Sequence, residues 1–197
     1  AKYVGTNLGN ADISETEFKI LDINAPDKDA KIRFVANGLS KNWAGAAIFR
    51  SDDGGASYGQ ISEVLTEGVQ GTVTNLVAPA SEFVFDERTK IEVLLLEGEL
   101  ESVTKEAVLN GANVALVGAE ILQFKNATLI APNKYELSYL LRGRQGTEGF
   151  VATHAIGEQF VLLNNAVVEV NAPTQIIGLT RKYKVASIGT DLEDAAA

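Results

Sequence analysis

The residues whose types and spacing could do chemistry crowd into one stretch, residues 137–163, which reads LSYLLRGRQGTEGFVATHAIGEQFVLL. It holds Arg142 and Arg144 beside Gly143 and Gly146, and then His154, the only histidine of the protein. Guanidinium forks next to glycine backbone could cradle a phosphate or a carboxylate, because the forks bind bidentately and the glycines let a ligand approach. The motif lacks the GKS/T ending of a phosphate-binding loop and does not open onto a helical pattern. The arginines therefore read better as partners of neighbouring acids, with the glycines turning or bulging the chain at positive φ. His154 has Thr147, Glu148 and Thr153 nearby in sequence, but no nucleophile elbow or metalloprotease motif surrounds it. A histidine bonded to backbone or carboxylate near the turn is the better reading, against a hydrolase that would use His154 with Glu148 or Asp86.

Other chemistry is fainter. Asp52 and Asp53 could ligate calcium, yet the further acids and closing glutamate of an EF-hand loop are missing. Asp86, Glu87, Glu97, Glu99 and Glu101 could supply a glycosidase pair, but such pairs occur on any acidic protein, and their separation is not written in the sequence. Trp43, followed by small residues, reads as a core plug rather than a sugar platform. Together with Tyr58, Tyr135 and Tyr139 it defines the alternative function, a carbohydrate-binding β module. Cysteine is absent and histidine single, which excludes a thiolate metal site and a three-histidine zinc site. The sequence is read as non-enzymatic, with no cofactor, no metal and no catalytic residue; Trp43, Tyr58, Arg142, Arg144 and His154 are the candidate ligand or partner contacts.

The elements that must position these residues are strands. In 135–141 Tyr135, Leu137, Tyr139 and Leu141 recur every second residue, the period of a strand with one buried face. Similar patterns mark 16–23, 31–36, 43–50, 58–64, 70–77, 91–95, 111–117, 119–124, 159–163, 167–170, 176–179 and 182–186. Ser51-Asp52-Asp53-Gly54-Gly55 joins 43–50 to 58–64 in the clearest hairpin, since Asp-Gly and Gly-Gly supply the positive φ of tight β connections. Residues 25–29 and Asn37-Gly38 read as turns. Residues 103–109 fit a helical turn or an edge strand equally well. The Pro-bearing segment 78–81 is the best internal boundary. The expected fold is all-β: an immunoglobulin- or fibronectin-like sandwich over 1–80, then a second strand-rich domain over 81–197 carrying the LLRGRQGTE loop.

Composition sets outer bounds. The 197 residues are 46% hydrophobic and 22% charged, an ordinary globular balance long enough for a real core. A net charge of −9 repels phosphate backbones, which argues against nucleic acid as a partner. No apolar run approaches the roughly 20 residues of a membrane-spanning helix, so no membrane insertion is expected. The first residue is alanine rather than methionine, as expected of a piece cut from a longer polypeptide.

LxxLLRGRxGTE, followed by a histidine, a Gly-Glu pair and FVLL, resembles the tail-tip or baseplate hub protein of long-tailed phages, prophages and phage-derived gene transfer agents. Residues 118–127, GAEILQFKNA, resemble the family's segment that runs into that strand. Residues 43–58, WAGAAIFRSDDGGASY, resemble its WxGAxLxRSxDGGxSY hairpin, and Leu21-Asp22-Ile23 through Pro26 fits more loosely. The resemblance implies a structural, host-specificity-type module of the virion tail tip, made in the bacterial cytoplasm before assembly. It implies other tail proteins, the distal tail and hub subunits, as partners, a homotrimer in the parent assembly, and a host surface glycan or receptor as a further contact. The family's glycosidase-type and peptidase-like regions find no counterpart in these residues.

Overall fold

The computed structural model describes residues 16–21, 31–38, 43–172 and 179–189. The turn read at 25–29 lies outside these residues, as does nearly all of the strand read at 176–179. The regular structure of the described chain is almost wholly strand, and the chain forms two compact units. One comprises its residues up to Glu67 and from Asn165 onward; the other is Gly68–Asn164.

The first unit is a β-sandwich. β1 (Thr16–Leu21) and β2 (Lys31–Gly38) pair antiparallel, and β11 (Val168–Asn171) adds to the far side of β2. The second sheet places β3 (Ala46–Ser51) between β4 (Gly59–Val64) and β12 (Lys182–Ser187). Lettered in the immunoglobulin manner, the strands read A-B-E and C′-C-F. The alternation seen in sequence puts Ile32, Phe34 and Ala36 of one sheet against Ile48, Val64 and Tyr183 of the other. Phe34 and Tyr183 meet with ring centroids 5.8 Å apart.

Asn37-Gly38 does not turn the chain: β2 continues through Gly38, which pairs with Thr16. The glycine is needed for another reason, since a Cβ there would run into Cβ and Cγ of Trp43. Gly38→Ala is therefore expected to cost the sandwich about 1–3 kcal/mol through overpacking. Trp43, the only tryptophan, packs partly buried against this core, so its emission wavelength is the measurement; an unchanged spectrum and midpoint would refute the contact.

The second unit is a closed six-stranded antiparallel barrel in the order β10-β5-β6-β9-β8-β7. Its strands are β5 (Gln70–Val73), β6 (Ile91–Leu95), β7 (Val114–Val117), β8 (Glu120–Ala131), β9 (Lys134–Arg144) and β10 (Gln159–Leu162). Closure lets every strand of the ring pair on both sides. Val93, Leu95, Val117, Leu122, Phe124, Leu137, Leu140 and Phe160 fill the interior. The segment left open between helix and edge strand is a helix, α1 (Lys105–Leu109). Thr104 decides it, because its hydroxyl accepts the Ala107 N–H at 3.2 Å. The buried Gln123 side chain then donates to the carbonyls of Val108, at 2.6 Å, and Ala112, at 2.9 Å, at the other end. Thr104→Ala should cost about 1 kcal/mol, as N-caps do, read as faster amide exchange across α1 alone.

The sequence places a boundary near residue 80, whereas β5 belongs to the barrel and β11 and β12 return to the sandwich. The barrel thus interrupts the sandwich between its fourth and fifth strands. Only pairing between residues more than a hundred positions apart reveals this, and local composition carries no trace of it.

Candidate functional site

Glu120 opens β8 and Arg142 lies near the end of β9. Ile121 pairs with Arg144 and Gln123 with Leu141, so Arg142 and Gly143 together stand opposite Leu122. This β-bulge is what the glycine in RGR is for: Gly143 adopts φ 56°, a conformation that glycine takes without strain. In a regular strand Arg142 and Arg144 would face the same side. The bulge sends Arg142 into the barrel, where it is fully buried, and leaves Arg144 exposed.

Arg142 binds Glu120 bidentately, with Nε at 2.9 and 3.1 Å and Nη2 at 2.8 Å. Its remaining donors reach the carbonyls of Ala78, at 3.2 Å, and Val151, at 3.3 Å, and Nη1 lies 3.5 Å from Asp86 Oδ2. Glu120 also accepts the Gly143 N–H at 2.6 Å. His154, whose side chain is 1% exposed, closes the cluster: Nε2 lies 2.6 Å from Glu120 Oε2 and Nδ1 2.7 Å from Glu158 Oε2. With a carboxylate on each ring nitrogen, both nitrogens must donate, so the imidazolium is the form that fits. One guanidinium thus ties the segments around residues 78, 120 and 151 together.

The electrostatics follow from these contacts. Burial by itself would raise the Glu120 carboxyl, but hydrogen bonds from His154, Arg142 and Gly143 and the Arg142 charge hold it below its ordinary range. Burial would lower His154, and the two carboxylates outweigh that and raise it. Asp86 is likewise pushed up by burial and held down by Thr89, the Arg88 N–H and the Arg142 charge. Thr147, the threonine of RGRQGTE, is buried and accepts the Ile121 N–H at 2.9 Å while donating to the Arg144 carbonyl at 2.7 Å. The signature motif is thereby consumed in closing the barrel.

Residues 68–161 match the family described as Rcc01698-like, C-terminal. The match takes in just under half of the chain and includes Glu120, Arg142, His154 and Glu158. It is compatible with a protein associated with phages or gene transfer agents. No curated protein matches the chain.

Of the five candidate contacts, Arg142 and His154 meet on Glu120, whereas Arg144 is exposed and Trp43 and Tyr58 belong to the sandwich unit. Arg142 is saturated inside the barrel and out of reach of an external anion. His154 pairs with Glu120 and Glu158 rather than with the Glu148 or Asp86 of the hydrolase reading. Asp53 accepts from Ser51 and Ser57, whose hydroxyl comes first among the bonds that hold its carboxyl well below the usual range. Asp52 is bound by Arg50 and Arg181. Both carboxylates considered for calcium are thus engaged with donors within the chain. Among the rings considered for sugar stacking, Tyr135 is buried in the barrel, and lysine ammoniums lie over Tyr58, at 4.8 Å, and Tyr139, at 5.0 Å. Glu120 and Glu158 were not singled out from sequence. A signal existed for Glu120: it leads straight into the apolar run ILQF, where a carboxylate that becomes buried needs a cation.

Proposed function

We propose that this chain is a non-enzymatic structural module of a phage, prophage or gene-transfer-agent tail-tip hub protein. The observation that carries the reading is the Rcc01698-like match over 68–161, the region that also holds the LLRGRQGTE motif and its GAEILQFKNA prelude. The physical arrangement supports a structural role: arginine, histidine and acids that could have formed a reactive centre are spent on each other, inside a closed barrel. In this reading the partners are distal tail and hub subunits, the parent assembly is a homotrimer, the location is the virion tail tip, and a host glycan or receptor is a further contact.

The test is to label the chain with an affinity tag in particles made by a host that carries its gene, and to image them by immunogold electron microscopy. Gold at the tail end is the expected result; particles that lack the chain would overturn the reading. Light scattering over a concentration series checks the trimer separately. A persistent monomer would move self-association outside these residues.

A further inference from the structure

The β8–β9 hairpin is longer than the barrel needs. β8 has 12 residues and β9 has 11, whereas β7 pairs only with Glu120–Gln123 and β6 only with Lys134–Leu137. On its outer side β8 is met by the segment entering α1: the Val103 N–H donates to the Lys125 carbonyl, and Ser102 Oγ both accepts the Ala127 N–H and donates to the Ala127 carbonyl. The main chain of Ala127 therefore points away from β9. Leu129, two residues on and still in register opposite Tyr135, points its N–H and C=O the same way. Among the described residues, no hydrogen bond reaches Leu129 from that side. Leu129 is 60% exposed and Ile130 45%.

Natural edges are normally blunted by lysine, by proline inside the strand or by cover. Here residues 126–133, NATLIAPN, contain no charge, the proline comes only at the turn, and the one bulge of this stretch follows Leu129 and leaves Leu129 itself in register. The surroundings are acidic. Glu97, Glu99 and Glu101 are all exposed on the segment that runs into Ser102. A second copy would bring the same acids against themselves in a chain of net charge −9, which disfavours self-pairing. We propose that the outer edge of β8 around Leu129 is a strand-addition site for an extended segment of another protein that alternates apolar with basic residues. Main-chain bonds to Leu129 would supply the pairing, Leu129 and Ile130 the apolar contact, and Glu97, Glu99 and Glu101 the charge selection. This site stands apart from the tail reading and is independent of what the parent protein does.

The experiment titrates the isotope-labelled full chain with a capped Lys-Val-Lys-Val-Lys-Val peptide and follows amide shifts. Shifts concentrated at Leu129 and Ile130 are expected, since the bulge after Leu129 turns Ala131 back toward Lys134. A peptide of the same charge with proline at the central valine should bind about tenfold or more weakly, because it cannot complete the ladder. Leu129→Pro removes the outward donor without touching a β8–β9 bond and should have the same effect. Ile130→Lys keeps the backbone intact and should also weaken binding, which covers a failure of the proline variant to fold. Equal binding of both peptides, with shifts scattered over the acidic surface, would overturn the proposal. So would a chain that dimerises through this edge without peptide.

Discussion

Glu120→Ala is expected to destabilise the barrel by about 3–5 kcal/mol, the usual cost of removing one partner from a buried ion pair. The carboxylate is the shared acceptor for Arg142, for the Gly143 N–H and for His154, and both cationic side chains are within 1% of full burial. Without it, a guanidinium and an imidazolium lie together in the interior with only the Ala78 and Val151 carbonyls, Asp86 and Glu158 to answer them. Trp43 belongs to the sandwich, so its fluorescence is a poor reporter here. Native-state hydrogen exchange at Leu122 and Phe124 is the suitable readout, and protection there should fall by roughly two to three and a half decades. A loss under about 1 kcal/mol would show that the cluster is not what holds β8 to β9. Glu120→Leu combined with Arg142→Leu should be milder than Glu120→Ala alone, because no guanidinium is left stranded.

The second large effect belongs to His154. Its ring makes two hydrogen bonds to carboxylates, each of the charged kind, about 1.5–3 kcal/mol, so His154→Ala should cost the barrel about 3 kcal/mol or more. The pH dependence has a definite sign. The folded-state value is raised above the ordinary histidine value. The stabilisation is therefore complete below the unfolded value, near pH 6.5, and is lost as pH rises through the higher folded value. Glu120 and Asp86 act the other way. Their values are lowered, so their contribution is present above the ordinary carboxylate range and lost as pH falls through the depressed values. Barrel stability should form a plateau in mildly acidic solution, declining on the alkaline side of neutrality. In His154→Ala the alkaline slope should vanish while the acid limb persists. A wild-type profile flat from pH 6 to 9 would contradict the imidazolium assignment.

The hairpin joining β3 to β4, the strand carrying LLRG and the all-β class were legible because they depend on near neighbours: alternation over a few residues and glycines at turns. The resemblance of RGRQGTE to a tail-protein motif was also visible, but not the use to which the motif is put. A bulge turns Arg142 away from Arg144, and a two-register alternation read from sequence cannot include one unpaired residue. Gly38 looked like a turn because its true neighbour, Trp43, is defined by packing.

By itself the sequence determined that this is a strand-built, cysteine-free, acidic protein with its ionisable oddities gathered between residues 137 and 163. Only the tertiary structure decided that the barrel interrupts the sandwich, that α1 is a helix, and that Glu120 is the acid for both Arg142 and His154. The physical reason is one of range. Periodicity and turn chemistry act over a few residues, while a buried charge chooses its partner by which distant segments meet when the barrel closes, here 22 residues away for Arg142 and 34 for His154.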